Sequence, residues 1–141
     1  MPRADFYLIA KPRFIEQPLL LVCELARKAS DSDQPLLILA ASNEQAEVID
    51  QLLWEFDDDA YVPHQIAGID EDDDITPVLI VPPGCEVAMR PLLINLCQEA
   101  ATGNFERVLE VIPADTNARE PLRERWTNYK TRGFELKKYD M

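Results

Sequence analysis

The 141-residue chain carries 14 Lys+Arg against 26 Asp+Glu, a formal net charge of -12, with 47% hydrophobic residues and only four glycines. That length and apolar content fit a folded chain with a proper core and exclude a disordered one. The acidity excludes the broad basic surface that primary binding of duplex DNA demands, and no apolar run approaches the length of a membrane span.

The amino terminus, MPRADFYLIA, lacks the apolar segment of a signal peptide. Three cysteines, Cys23, Cys85 and Cys97, are odd in number and widely spaced, which fits reduced thiols better than a disulfide framework or a zinc site. The expectation is a cytoplasmic α/β domain spanning 1–141, without a linker or internal repeat.

In chain order, Asp5–Ala10 reads as a first strand. Phe14–Ala29 reads as one helix, with Ile15, Leu19, Val22, Cys23 and Ala26 at helical spacing and Pro18 in its first turn. Leu36–Ala41 is a continuous apolar run, as a strand covered on both faces requires. Ser42 opens a second helix, Gln45 completes a capping box, and Ala46, Ile49, Leu53 and Phe56 form the inner stripe. Strand, helix, strand, helix predicts a mostly parallel sheet flanked by helices.

The middle is less regular. Trp54–Gly68 leaves the second helix through an acidic turn and holds a Tyr-Val-Pro-His element read as a structural turn. Asp70–Asp74 reads as a solvated loop, and Pro77–Val81 as a strand with Cys85–Met89 beside it. Leu92–Leu96 and Val108–Ile112 are further strands, the first also open to a helical reading through Ala101. Phe134–Tyr139 reads as an edge strand blunted by lysines.

The segment Pro113–Phe134 between them is the most informative. Thr116 or Asn117 can cap a helix there, Pro121 falls in its first turn, and Gly133 offers a left-handed stop. Leu122, Trp126 and Tyr129 form an apolar stripe, while Arg119, Arg123, Trp126 and Lys130 share a face. Seven of the 14 basic residues lie in 119–141, whereas 29–89 contains no Lys or Arg and fifteen acids. A small basic island beside an indole suits an anionic peptide held by an arginine fork. Simple pairing of Arg119, Arg123 and Arg125 with Glu120, Glu124 and Asp115 on a solvated helix accounts for the same residues equally well.

Enzymatic chemistry finds little purchase. The first two strand-to-helix turns, IAKPRF and AASNEQ, have no glycine, so the Rossmann phosphate loop is missing and no nucleotide cofactor is expected. His64 is the one histidine, and the acids Asp70–Asp74 lack the central glycine and bidentate glutamate of an EF-hand. A nucleotide- or metal-dependent enzyme using that acidic loop is the alternative reading. Trp54, Phe56, Tyr61, Val62 and Pro63 concentrate large apolar groups at a helix end, where core and protein–protein anchor both remain open.

Several segments, in order, resemble the chi subunits of bacterial DNA polymerase III: FYLI at Phe6–Ile9, VCELARKA at Val22–Ala29, LLW at Leu52–Trp54 and YVPHQIAG at Tyr61–Gly68. VLEVIP at Val108–Pro113, RERW at Arg123–Trp126 and NYKTRGF at Asn128–Phe134 complete the pattern. The resemblance implies an α/β fold similar to nucleotide-binding folds without the phosphate loop. It implies an adaptor with no catalytic residues of its own, within a DNA-directed DNA polymerase assembly. Its partners would be the acidic carboxy-terminal tail of single-stranded DNA-binding protein and, through the psi subunit, the clamp loader. DNA would be met mainly through the first partner. The matching tail-binding positions are Ile112, Arg119, Arg123 and Trp126, where the family commonly has lysine at Arg119 and tyrosine at Trp126. Trp54, Tyr61, Val62, Pro63 and His64 match the surface that accepts psi or a helicase-like competitor. The acidic segment Glu55–Asp59 departs from the family pattern there.

Overall fold

The computed structural model describes residues 2–56, 62–68 and 76–141. Among the described residues seven strands form one sheet: β1 (Arg3–Leu8), β2 (Leu36–Leu39), β3 (His64–Ile66), β4 (Val78–Val81), β5 (Leu92–Asn95), β6 (Arg107–Ile112) and β7 (Glu135–Asp140). Their order is β3-β4-β2-β5-β6-β1-β7, and every neighbouring pair is parallel. The helices are α1 (Pro12–Glu16), α2 (Leu19–Asp31), α3 (Asn43–Glu55) and α4 (Arg119–Thr131).

Alternation along the strands builds two cores, one on each face of the sheet. Leu36, Ile38, Ile80, Ile94 and Val111 face α2 and α3, meeting Val22, Cys23, Ala26, Ile49 and Leu53. Leu37, Leu79, Leu93, Val108 and Phe6 face the opposite way, toward Tyr129, Leu122 and Trp126 of α4. Two-sided burial explains why the central strands read as unbroken apolar runs. The lone cysteine on α2, Cys23, is fully buried, and burial pushes its thiol up to about 12.

Local chemistry sets the boundaries. Ser42 Oγ accepts from the Gln45 N–H at 3.0 Å, and Gln45 Oε1 accepts from the Ala41 N–H at 2.7 Å. The capping box therefore forms, its return bond reaching one residue before the cap. The single helix predicted over Phe14–Ala29 is two. Proline disfavours helical backbone in the residue before it, and Gln17 indeed sits at φ -141°, ψ 84°. Pro18 thus ends α1 and caps α2 rather than sitting within one long helix.

Four other expectations are corrected. Cys85–Met89 forms no strand. His64 lies in the edge strand β3 rather than in a turn. Ahead of α4, Thr116–Ala118 makes a 3-10 turn capped by Asp115 Oδ1, which accepts from the Asn117 N–H at 2.9 Å. The helical reading of Cys97–Ala101 is also discarded, since β5 ends at Asn95. Gly133, at φ +86°, supplies the left-handed stop after α4.

Candidate functional site

The helix α4 packs through Tyr129, which is fully buried. Its hydroxyl donates to Glu110 Oε2 at 2.6 Å and accepts from the Ala101 N–H at 2.8 Å. Arg125 is buried beside it, its Nε 2.9 Å from Glu110 Oε1 and its Nη1 donating to Gln98 O at 2.9 Å. Asn95 Nδ2 donates to Glu110 Oε2 at 2.8 Å, completing a polar anchor beneath the helix. Burial pushes the Glu110 carboxyl up to about 7, against the pull of Tyr129, Arg125 and Asn95. Arg125 is thus a structural cation, not the partner of a surface acid.

With Arg125 facing inward, residues two positions away on a helix face outward, about 200° round the axis. Arg119 and Arg123 are exposed and, among the described residues, neither makes an ion pair. Together with Thr116, Glu120, Thr127 and Asn128 they line a shallow open groove along α4. Trp126 lies at the margin of this face, partly buried, its ring 5.1 Å from that of Phe6 and 6.0 Å beneath Lys138 Nζ. Ile112, at the end of β6, is 4% exposed and belongs to the same apolar cluster as Trp126. The four residues singled out in sequence therefore fall into two pairs, two exposed cations and two apolar groups in the cluster beneath α4. Lys138 on β7 joins them in space but was missed, since only strand pairing brings it to the helix.

At the opposite end of the sheet, Trp54 is 53% exposed at the end of α3, its ring 4.8 Å from that of His64. The His64 side chain is buried: Nδ1 lies 2.6 Å from Val62 O, and Nε2 lies 3.0 Å from Asp50 O and 3.2 Å from Asp50 Oδ1. These contacts tie β3 to α3 and set the imidazole as a floor for the indole. Val62 is 2% exposed and belongs to the core, while Pro63 is partly exposed. Tyr61 and the acids Asp57–Asp59 and Asp70–Asp74 lie outside the described residues.

Among the described residues no group of three His, Cys, Asp or Glu side chains could hold a metal ion. A cleft of about 300 Å³ opens at the carboxyl ends of β5 and β6, lined by Leu19, Asn95, Cys97, Pro113, Pro121 and Arg125. This is where open α/β sheets bind ligands. Two of its polar groups, Asn95 and Arg125, already serve Glu110, and burial raises the Cys97 thiol away from reactivity.

Comparisons with known proteins identify the family of the chain. The family model described as "DNA polymerase III chi subunit, HolC" matches residues 1–137. A DNA polymerase III subunit chi of Pseudomonas aeruginosa is 34% identical over 140 residues, covering 96% of this chain and 94% of that protein. The corresponding subunits of Haemophilus influenzae and Escherichia coli are 32% and 28% identical, covering 94% and 96% of this chain and 93% and 96% of theirs. Among solved structures, T4 UvsW superposes with a TM-score of 0.62 at 12% identity, covering 99% of this chain and 41% of UvsW. That likeness shows the fold alone: a parallel α/β sheet flanked by helices. The chain belongs to the family of DNA polymerase III chi subunits, and so to the subunits of a DNA polymerase holoenzyme that serve DNA replication.

Proposed function

We infer that this chain is a cytoplasmic adaptor that captures the acidic carboxy-terminal tail of single-stranded DNA-binding protein and links it, through psi, to the clamp loader. The observation that carries this reading is the outward pair Arg119 and Arg123, exposed and without ion-pair partners among the described residues of a chain of net charge -12. Arg123 receives the terminal carboxylate, Arg119 attracts the tail's acids, and Trp126 with Ile112 forms the apolar ground for a terminal phenylalanine. Because Ile112 is nearly closed off, the ring enters by displacing the indole edge rather than by filling a ready cavity. With few residues engaged, micromolar affinity is the scale, about -8 kcal/mol, and it falls as salt rises.

Trp54, resting on His64, is the anchor for psi or for a helicase-like competitor, with the partly exposed Pro63 next to His64 in the chain. An indole half exposed over a fixed ring is the kind of group that dominates protein–protein contacts. The two faces lie at opposite ends of the strand order, so both partners can be held at once. The test is fluorescence polarisation of a labelled acidic peptide ending in Phe, beside the same peptide lacking that residue. Saturable binding lost with the truncation supports the reading, and absence of binding to the full peptide overturns it.

A further inference from the structure

Resting on the tail-capture reading, we propose that the acidic tail does not stop at α4 but lies along β7 as an added eighth strand. β7 ends the strand order and, among the described residues, pairs only with β1. The Glu135 N–H donates to Pro2 O and the Met141 N–H to Leu8 O, so alternate residues of β7 turn their main chain inward. Leu136, Lys138 and Asp140 consequently turn their N–H and C=O groups toward the open edge. The edge is held firmly, because Met141 O also accepts from the Lys11 N–H at 2.8 Å.

Charge chooses the occupant. Lys137 lies in register with Asp5, on the sheet face where Arg3 and Arg107 both bind that one carboxylate, at 2.9 Å and 2.6 Å. Arg3, Arg107 and Lys137 outnumber Asp5 and Glu135 on that face, which leaves it positive by a single charge. Lys138 points to the other face, over Trp126. A strand added to β7 places its side chains alternately on these two faces, opposite Lys137 on one and Lys138 on the other. A second copy of β7 would set lysine against lysine, which is unfavourable and is the usual protection of an edge strand. An acidic peptide turns the same lysines into opposite-charge cross-strand pairs. Lys138 beside Trp126 makes the edge continuous with the α4 face, so one extended chain can engage both.

The experiment uses the full protein and the acidic peptide with its main chain N-methylated at alternate positions, in both registers. Methylation in the register that faces β7 is expected to weaken binding about tenfold or more, while the other register leaves it unchanged. The amides of Leu136, Lys138 and Asp140 are expected to gain protection from hydrogen exchange when the unmethylated peptide binds. Lys137→Glu with Lys138→Glu should weaken binding without altering the melting temperature. Binding that depends on Arg123 yet ignores methylation in both registers, with no protection at those amides, overturns strand addition and leaves the α4 reading intact. Failure of the unmethylated peptide to bind overturns both.

Discussion

Arg125 and Glu110 lie 2.9 Å apart beneath α4, the arginine 6% exposed and the glutamate fully buried. This pair fixes how the helix is turned, and therefore which arginines meet solvent. Inward burial of Arg125 puts Arg123 outside, on the same helix and only two residues away. The cation that binds the protein's own acid and the cation left in solvent are thus set by a single rotation.

Removing one member of a buried pair leaves the other uncompensated. Arg125→Ala should cost roughly 3–5 kcal/mol at pH 8. The loss should be smaller near pH 6, where Glu110 is already largely protonated in the folded chain and less charge is left uncompensated. Urea denaturation at the two pH values checks both the size and the difference.

The Glu110 carboxyl titrates at about 7 in the folded chain, raised by burial from an ordinary value of 4.5. Between these values the folded chain holds a proton that the unfolded chain has released. Its contribution to stability is therefore full below pH 4.5, declines as pH rises to about 7, and is flat beyond. Glu110→Gln should remove this slope, which denaturation midpoints of both proteins across pH 5–8 would show.

Arg123 is exposed and makes no ion pair among the described residues, so Arg123→Ala should leave the melting temperature unchanged. It should weaken binding of the acidic peptide tenfold or more, by about 1.4 kcal/mol or greater. Unchanged affinity by fluorescence polarisation would remove Arg123 from the site.

Trp54→Ala exposes no core, since the indole is already half in solvent. The variant should fold normally and still bind the acidic peptide while losing co-purification with psi or the clamp loader. Retained co-purification would move the partner surface elsewhere.

Ser42→Ala removes the oxygen that accepts from the Gln45 N–H at the start of α3. A loss of about 1 kcal/mol is expected, read from the thermal midpoint, with peptide binding untouched.

Periodicity and end signals determined much of this protein without any tertiary information. Runs such as Leu36–Leu39 and Val78–Val81 are apolar because both faces of their strands are covered, so they declare themselves as central parallel strands. Ser42 with Gln45, and Gly133, are local chemistry and behave as their spacing foretells. The exposed pair Arg119 and Arg123 was legible as a shared helix face. The direction of Arg125 was not, because its partner Glu110 is fifteen residues away on another element and period alone does not say which side of a polar helix turns inward. His64 could not be read as a strand residue, since β3 is three residues long and exists only through pairing with β4. Lys138 reaches Trp126 solely because β7 returns beside β1. Interactions within a turn of helix are written in the chain, while those closed over long loops appear only when the sheet has brought distant residues together.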